Sequence, residues 1–492
     1  MGGIYYYSTN HKTERVSFET ALMRGLAANY GLYMCSRADI PKLDASSIQS
    51  MRDLSYARIA FAVLNPFLKE EVSPQDLEKI LDDAYDDKII PTTVQHVTGE
   101  TYLMWLSRGP TYSFKDYAAR FFARILNYFL KRSGCRRVVA VATSGDTGGA
   151  VADALHNQER VDNLVFFPKG SITERQRRQM TTLQDNIYAF EVNGDFDVCQ
   201  ALAKQLLGDK AFARDLFKDA ERFTSANSIS LGRLLPQAVY PFFAYSRVAR
   251  FGEPLIASVP SGNFGDMMGT VIAREMGLPI GKIVCGVNEN REFPHFLETG
   301  EYVVRPSIKS PSSAMIVSNP SNFARLVDLY GGHVYDKLDA RGKIIQECVI
   351  DVQPDLIAMR DDLCSMSVSN PDHYQAMRKV YERFGIIIEP HGAVGWRALD
   401  AFLGGIHDRP AVIYETADPG KFPDDIQKAI GVVPAIPENI RRQSALQERI
   451  YSIDEDPDFN KDGSMALSDA QYDQAQEIVR TIFSSAAYNR CC

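Results

Sequence analysis

The stretch Gly109-Pro110-Thr111-Tyr112-Ser113-Phe114-Lys115-Asp116 is the part of the sequence around which the rest is organised. Its Gly-Pro pair predicts a turn that ends the preceding element. The apolar residues that follow recur at helical spacing, which predicts a helix with one buried face, formed by Ala118, Phe121, Phe122, Ile125 and Phe129. Lys115 therefore lies where a loop becomes the first turn of a helix.

Two features of this position favour a neutral amine on Lys115. The positive end of the helix dipole disfavours a nearby ammonium ion, and the preceding residue, Phe114, is apolar. A neutral lysine amine is the group that forms a Schiff base with an aldehyde cofactor. This stretch alone fits an ordinary solvated lysine better, so the interpretation depends on the loops described below.

Composition excludes several classes of protein. A chain of 492 residues predicts about two to four domains, and a formal net charge of -8 argues against nucleic acid or an anionic membrane as the main partner. The sequence contains no apolar run of membrane-spanning length and no secretory signal. The eight cysteines include no C-x-x-C pair, which predicts reduced thiols in the cytoplasm, with Cys491 and Cys492 in a frayed tail.

The chain divides into three predicted regions. Residues 1–95 are mainly helical, with a helix that starts at Ser73-Pro74-Gln75-Asp76. Residues 96–433 alternate short apolar runs with helical patterns, which is typical of doubly wound α/β sheets. Residues 434–492 are polar and end in a helix at Asp469–Phe483. The predicted strands are Val138–Ala142, Leu164–Phe167, Ile187–Val192, Ile256–Val259, Ile283–Val287, Ile386–Ile388 and Val412–Tyr414.

Two loops after these strands are rich in small residues. Parallel sheets bind ligands beyond the carboxyl ends of their strands, and backbone N–H groups at a helix N-terminus bind anions. The first loop is 143–150, with the sequence Thr-Ser-Gly-Asp-Thr-Gly-Gly-Ala, and the second is 260–266, with Pro-Ser-Gly-Asn-Phe-Gly-Asp. The first lacks the spacing of a dinucleotide-binding turn, and the second lacks the ending of a nucleotide triphosphate loop.

A strand end near the carboxyl terminus of this region adds a neutral hydroxyl. The run 412–414 leads directly to Glu415 and Thr416. One lysine amine, two anion-binding loops and a hydroxyl together suit an aldehyde that carries a phosphate and a ring nitrogen. Pyridoxal phosphate is that molecule.

Five motifs in order resemble the threonine synthase family, of the longer type found in enterobacteria and fungi. They are Gly-Pro-Thr-x-x-Phe-Lys-Asp, Thr-Ser-Gly-Asp-Thr-Gly, Ser-Ala-Asn-Ser-Ile at 225–229, Ser-Gly-Asn-Phe-Gly-Asp, and Glu-Pro-His-Gly-Ala-Val at 389–394. The resemblance implies a pyridoxal-phosphate enzyme of fold type II, similar to the β subunit of tryptophan synthase, with two α/β subdomains and a helical N-terminal domain. It implies conversion of O-phospho-L-homoserine into threonine and phosphate by a cytoplasmic monomer or homodimer.

The resemblance also implies roles for individual residues. Lys115 would bind the cofactor covalently, and Thr416 would lie beside its ring nitrogen, where a lone hydroxyl leaves that nitrogen free to stay neutral. The other residues expected around the cofactor are Phe114, Asp146, Gly262, Asn263, Phe264, Gly265 and Asp266. The residues expected around the substrate are Arg108, Thr111, Ser144, Thr147, Asn227 and Ser228. Candidate cations for the leaving phosphate are Arg120, Lys169, Arg175 and Arg233.

Several positions beside these motifs depart from the family pattern. They are Arg108 and Asp418, each in place of a histidine, Ser113 in place of a small apolar residue, Ser230 in place of an asparagine, and Ile316 in place of an aspartate. Arg108 could bind a different carboxylate or phosphonate. The departures leave three functions open: threonine synthesis, elimination or replacement at Cβ or Cγ by a divergent enzyme, and a non-catalytic binding protein. A calcium loop at Asp458–Asp469 is a weaker possibility.

Overall fold

Two predominantly parallel sheets form the centre of the fold in the computed structural model, which describes residues 3–338, 344–460 and 463–484. The helices are α1 Phe18–Arg24, α2 Ala45–Gln49, α3 Tyr56–Leu68, α4 Pro74–Ala84, α5 Lys115–Ser133, α6 Asp146–Leu155, α7 Glu174–Thr181, α8 Phe196–Gly208, α9 Lys210–Phe217, α10 Leu231–Leu234, α11 Val239–Val248, α12 Gly265–Glu275, α13 Glu292–Thr299, α14 Phe323–Leu329, α15 Leu356–Asp362, α16 Asn370–Phe384, α17 Pro390–Leu403, α18 Pro423–Ile430, α19 Glu438–Gln443 and α20 Asp469–Phe483. The strands are β1 Tyr7–Ser8, β2 Tyr33–Met34, β3 Thr93–Thr98, β4 Thr101–Trp105, β5 Arg137–Ala142, β6 Val161–Pro168, β7 Ile187–Val192, β8 Phe223–Ser225, β9 Leu255–Pro260, β10 Ile280–Val287, β11 His333–Leu338, β12 Ile344–Val352, β13 Leu363–Ser367, β14 Ala411–Glu415, β15 Ile450–Ile453, β16 Asp458–Phe459 and β17 Met465–Ala466.

The two large sheets bring distant parts of the chain side by side. The six-stranded sheet has the order β13-β10-β9-β14-β4-β3, and only β3 runs antiparallel to its neighbour. The five-stranded sheet has the order β15-β7-β6-β5-β8 and is parallel throughout. The doubly wound α/β architecture that the sequence predicts is therefore confirmed, because helices cover both faces of these apolar strands.

Six of the seven predicted strands form, but the prediction at Ile386–Ile388 is wrong. The segment is a loop that joins α16 to α17. Gly385 ends α16 in the left-handed conformation, with φ of 67°, and Pro390 begins α17, so only a short connection remains between two helices. The apolar side chains of the loop pack against the core instead, and Ile388 is buried.

Helix α5 sets the position of Lys115. The five residues of its predicted apolar face are all buried, and Gly134 ends the helix with φ of 75°. Helices α1 to α4 cover this part of the molecule, and α4 begins as predicted, with the Ser73 side chain accepting a hydrogen bond from the Asp76 N–H group. None of the described helices is both long and apolar enough to cross a membrane.

The C-terminal segment folds against the five-stranded sheet. Strand β15 extends that sheet beside β7, and the predicted helix Asp469–Phe483 forms with those bounds as α20. Part of the predicted calcium loop is the short hairpin of β16 and β17. Residues 461 and 462 of that loop, and the cysteines 491 and 492, lie outside the described residues, so both predictions stay predictions.

Candidate active site

The loops that follow β4, β5, β8, β9 and β14 surround one pocket between the two large sheets. The space free of protein atoms within it, together with its opening to solvent, is about 780 Å³. Its walls include twelve of the predicted site residues, namely Phe114, Lys115, Ser144, Asp146, Thr147, Asn227, Ser228, Gly262, Asn263, Gly265, Asp266 and Thr416. Parallel strands place the loops at their carboxyl ends along one edge, which explains how residues far apart in sequence meet here.

Lys115 presents its amine to this pocket. Helix α5 begins at Lys115, and the Nζ atom lies 4.4 Å from the centre of the Phe114 ring. Burial lowers the pKa of the Lys115 ammonium, and the positive charges of Lys421 and Arg233 lower it further, while Asp146 and Asp266 oppose that effect. The neutral amine that the sequence predicts is therefore favoured by the structure.

A short antiparallel bridge fixes the Lys115 loop against the Thr416 loop. Ser113 pairs with Ala417, and the Phe114 N–H group donates to the Thr416 carbonyl oxygen at 2.8 Å. The hydroxyl of Ser113 also accepts a hydrogen bond from the Lys115 N–H group at 3.3 Å. The amine and the Thr416 hydroxyl are thus held on connected pieces of backbone, although about 300 residues separate them in the sequence.

The loop after β9 presents backbone donors at the start of α12. In the described part of the chain, no group accepts a hydrogen bond from the N–H groups of residues 262 to 265. A Cβ atom on Gly262 would lie 2.7 Å from the Ala314 carbonyl oxygen, so only glycine allows this approach. Burial raises the pKa of the neighbouring Asp266 to about 6, which brings its protonation closer to neutral pH. The loop suits a phosphate.

The loop after β5 holds a buried ion pair. Lys421 Nζ lies 2.5 Å from Asp146 Oδ1, and both side chains are almost completely buried. Burial alone would raise the pKa of Asp146, but the charges of Lys421 and Lys115 hold it well below its usual range. Asp146 is therefore an anion already paired with Lys421, which leaves the hydroxyls of Ser144 and Thr147 as the groups of this loop that suit a negatively charged ligand.

The loop after β8 contributes one positioning side chain and one cation. The Asn227 amide bonds to the backbone of Ala142 in both directions, at 3.0 Å and 2.7 Å, and so fixes the end of β5 rather than facing a ligand with free groups. Arg233, in α10, also lines the pocket; its Nη1 atom donates to the Ala226 carbonyl oxygen at 2.6 Å, and burial lowers the pKa of its guanidinium to about 10. This guanidinium bonds to a backbone carbonyl oxygen rather than to a carboxylate, so its charge is available to an anionic ligand.

The Thr416 side of the pocket is a hydrogen-bonded cluster. Glu389 precedes α17 and accepts from His391 Nδ1 at 2.5 Å and from the Thr416 hydroxyl at 3.3 Å. The Ala314 N–H group donates to His391 Nε2 at 3.1 Å. From the sequence alone, no role was assigned to His391 or Lys421. A signal was present for both, because His391 lies in one of the five motifs and Lys421 follows Thr416 closely.

Three predicted site residues lie outside the pocket walls. Arg108 is exposed and stacks on Trp105 at 5.6 Å, so the structure does not place it near a ligand. Thr111 is buried, and its hydroxyl donates to Asp116 at 2.5 Å. Phe264 turns away and packs on Phe293 with ring centres 4.7 Å apart. A residue within a motif can thus support a loop with its side chain, and Phe264 still keeps its backbone N–H group among the donors at the start of α12, so these three assignments stay predictions.

Three of the four candidate cations also lie elsewhere. Arg120 donates to backbone carbonyl oxygens at the end of α4, Lys169 pairs with Asp454 at the surface, and Arg175 donates to the Gly420 carbonyl oxygen. Only Arg233 reaches the pocket. Each of the other three makes a structural contact instead, which the charge of the residue in the sequence could not predict.

The positions that depart from the family pattern do not line the pocket either. Arg108, Ser113, Ser230, Ile316 and Asp418 are absent from its walls. Asp418 caps a short helical turn by accepting from the Gly420 N–H group at 2.8 Å, and Ser230 precedes α10. Asp418 therefore supports its loop from behind the wall, and none of the five departures is on the ligand-facing surface.

Comparison with known proteins gives a consistent result. The family descriptions that match are the threonine synthase N terminus at residues 5–85, pyridoxal-phosphate dependent enzymes at 90–345, and the threonine synthase C-terminal region at 392–462. The threonine synthase of Pseudomonas aeruginosa is 33% identical over 90% of this chain and 94% of its own length. The chain belongs to the threonine synthase family. The Escherichia coli and Saccharomyces cerevisiae enzymes are 32% and 30% identical, over 89% and 92% of this chain and 94% and 95% of their own lengths.

Solved threonine synthases share the fold over almost the whole chain. The Brucella melitensis enzyme, solved with bound pyridoxal phosphate, has a TM-score of 0.81 at 28% identity and covers 99% of this chain and 100% of its own. The Escherichia coli enzyme has a TM-score of 0.82 at 28% identity and covers 97% of this chain and all of its own. The fold-type-II architecture and the family resemblance that the sequence motifs predict are thereby confirmed.

Pyridoxal phosphate is the cofactor of this family of enzymes, and the pocket fits it. The unpaired N–H groups at the start of α12 suit its phosphate, and the amine of Lys115 suits its aldehyde. The Thr416 hydroxyl offers a polar partner for the ring nitrogen. Each group that the cofactor requires therefore has a counterpart on the pocket wall.

Proposed function

We propose that this chain is a threonine synthase, which converts O-phospho-L-homoserine and water into L-threonine and phosphate. The single observation that carries the proposal is the meeting of the Lys115 amine, the α12 phosphate loop and Thr416 in one pocket. The family membership supports the same substrate, because relatives that align over about nine tenths of this chain are named threonine synthase.

The side chains of the pocket divide the chemical work. Bound pyridoxal phosphate supplies the electron sink for the carbanion at the substrate Cα. Lys115, with its lowered pKa, accepts and returns protons at the substrate carbons, because a neutral amine is a competent base near neutral pH. The phosphate leaves from Cγ, and the Lys115 amine takes up and returns the protons that this elimination requires. Water then adds at Cβ.

Anion binding in the pocket orients the substrate. The hydroxyls of Ser144, Thr147 and Ser228 have no hydrogen-bond partner among the described residues and suit the substrate carboxylate, and Arg233 supplies the positive charge that a phosphate requires. Lys421 keeps Asp146 paired, so that this carboxylate does not repel the incoming anion. We infer that the cofactor is surrounded by Lys115, Phe114, Asp146, Gly262, Asn263, the backbone of Phe264, Gly265, Asp266 and Thr416. The substrate is surrounded by Ser144, Thr147, Ser228 and Arg233, and Asn227 holds the end of β5 beside them.

Product analysis tests the proposal directly. Purified protein loaded with pyridoxal phosphate is incubated with O-phospho-L-homoserine, and phosphate and amino acids are measured together. We expect threonine and phosphate in equal amounts. Phosphate with 2-oxobutyrate would instead indicate elimination, and phosphate with another amino acid would indicate replacement by a different nucleophile. No release of phosphate would remove the substrate assignment.

A further inference from the structure

Asn322 joins two of the loops that line the pocket. It immediately precedes α14, and its side-chain NH₂ group donates to the Asn263 carbonyl oxygen at 2.9 Å and to the Ser228 carbonyl oxygen at 3.4 Å. Asn263 belongs to the loop after β9, whose backbone donors suit a phosphate, and Ser228 belongs to the loop after β8. One amide group therefore bridges a loop of the six-stranded sheet and a loop of the five-stranded sheet.

Arg325 fixes the orientation of this amide. Its Nη1 atom donates to Asn322 Oδ1 at 2.7 Å and to the Ser228 carbonyl oxygen at 3.0 Å. Its Nη2 atom donates to the Ile229 carbonyl oxygen at 2.6 Å. Because a guanidinium can only donate, the oxygen of Asn322 must face Arg325, and its NH₂ group must face the two carbonyl oxygens that it bridges.

Arg325 is completely buried, and its partners in the described part of the chain are all neutral oxygen atoms. Its Nε atom donates to the Tyr33 carbonyl oxygen at 3.0 Å. Burial lowers the pKa of its guanidinium to about 9. A buried cation without a carboxylate partner contributes less to stability than an apolar side chain of similar volume. What this arginine provides is the fixed position of the carbonyl oxygens that it binds.

The loop after β8 changes its support between two adjacent residues. The Asn227 side chain bonds to Ala142 at the end of β5, which belongs to the five-stranded sheet. The carbonyl oxygens of the next two residues, Ser228 and Ile229, are instead held by the start of α14, which also holds the loop after β9 of the six-stranded sheet. The place of the Ser228 hydroxyl in the pocket is therefore set from the six-stranded sheet.

We propose that Asn322 and Arg325 are positioning residues that set the distance between the cofactor-phosphate loop, residues 262–265, and the hydroxyl of Ser228. For the role of Ser228 the inference rests on the proposed function, which assigns this hydroxyl to the substrate carboxylate. For the phosphate loop it rests on the cofactor alone. Neither Asn322 nor Arg325 lines the pocket, yet loss of the bridge between the loops should weaken the binding of both ligands.

Cofactor binding tests the bridge without reference to activity. Asn322→Asp keeps the shape of the side chain and its bond to Arg325, but it puts an oxygen atom where the NH₂ group faced the two carbonyl oxygens. The apoprotein is titrated with pyridoxal phosphate and, separately, with pyridoxal, which lacks the phosphate, and visible absorption measures both affinities. We expect the dissociation constant of pyridoxal phosphate to rise about 10-fold and that of pyridoxal by less than about threefold.

A matched control separates positioning from general damage to the fold. The side-chain NH₂ group of Asn186 also bridges two backbone carbonyl oxygens, at 2.8 Å each, and its Oδ1 atom also accepts a hydrogen bond, but this residue lies outside the pocket walls. Asn186→Asp should therefore leave the affinity for pyridoxal phosphate unchanged. Wild-type affinity in Asn322→Asp, an equal loss in both variants, or an equal loss for pyridoxal and pyridoxal phosphate would overturn the proposal.

A second pair of variants keeps the test decisive if Asn322→Asp does not fold. Asn322→Ala deletes the bridging amide without adding charge, and Asn186→Ala is its control. We expect the same selective loss of affinity for pyridoxal phosphate in Asn322→Ala only. Equal affinities in the two alanine variants would show that the bridge does not position the phosphate loop.

Steady-state kinetics tests the substrate half of the proposal. At saturating pyridoxal phosphate, we expect Asn322→Asp to raise the KM for O-phospho-L-homoserine about 10-fold and to change kcat by less than about threefold, because Lys115 is untouched. A lower kcat with an unchanged KM would overturn the role of the bridge in placing Ser228. If the wild type does not convert this substrate, the proposed function fails, whereas the selective loss of affinity for pyridoxal phosphate would still support the bridge.

Discussion

The two sides of the pocket differ in how their polar groups are satisfied. On the Thr416 side, Glu389, His391 and Thr416 bond to one another and to backbone. On the opposite side, the hydroxyls of Ser144 and Thr147 have no hydrogen-bond partner among the described residues, and the Arg233 guanidinium donates to the Ala226 carbonyl oxygen rather than to a carboxylate. A wall whose polar groups bond to one another is rigid and suits a ligand that stays bound, whereas free donors suit a substrate that enters and leaves. We call the Thr416 side the closed side of the pocket and the opposite side the open side.

Lys115 lies between these two sides, and its loss should have the largest effect. Lys115→Ala removes the cofactor attachment and the base together, so we expect activity to fall by more than about 10⁴-fold and the visible absorption of the bound aldehyde to disappear. Steady-state assays and absorption spectra measure both effects. Lys169→Ala, at an exposed ion pair, is the control and should retain both properties. Retained activity in Lys115→Ala would contradict the mechanism.

Removing the cation of the open side should weaken substrate binding specifically. Arg233→Met leaves a similar volume without charge, and the loss of charged hydrogen bonds worth about 1.5–3 kcal/mol predicts a fall in kcat/KM of roughly 10- to 150-fold, mainly through KM. Arg120→Met is the matched control, because Arg120 bonds only to backbone outside the pocket. If both variants raise KM equally, Arg233 has no special role in binding the substrate anion.

Adding one methyl group to the closed side should destabilise the protein. A Cβ atom on Gly392 would lie only 1.7 Å from Glu415 Oε2. We therefore expect Gly392→Ala to lower the free energy of unfolding by about 1–3 kcal/mol in urea titrations. The double variant with Glu415→Ala removes the atom that is overlapped and should recover part of this loss. Purely additive effects of the two changes would show that the overlap is relieved in some other way.

The closed side should also show the smallest and most gradual effect, a pH dependence of stability. Because the pKa of Glu415 is raised in the folded state, the wild type loses stability as pH rises above the unfolded value of about 4.3. Glu415→Gln does not titrate, so its stability relative to the wild type should increase with pH, by at most about 1.4 kcal/mol per pH unit. Urea titrations at pH 5 and pH 7 measure it, and a pH-independent difference would contradict a neutral Glu415.

The contrast between the two sides also shows how far the sequence alone could predict the site. Lys115 and the glycine-rich loops were predictable, because strand ends and helix starts leave local patterns of apolar and small residues. The error at Ile386–Ile388 arose because three apolar residues between two helices have the same local pattern as a short buried strand. That choice is decided by neighbours in space, which a single sequence does not display.

The roles of charged residues were the least predictable part of the site. Arg120 and Arg233 both follow a motif closely, yet one bonds to the end of α4 and the other enters the pocket. Long side chains span enough distance to serve either purpose, and their direction depends on packing. Lys421 likewise acquires its importance only through the ion pair with Asp146, which is about 275 positions earlier in the chain.

Locating the covalent attachment of the cofactor tests the central claim most directly. The protein loaded with pyridoxal phosphate is reduced with borohydride, digested, and analysed by peptide mass spectrometry. We predict a single modified residue, Lys115, on the peptide that begins α5. Modification of Lys421, the other buried lysine beside Asp146, or the absence of any modified peptide, would contradict the account of this pocket.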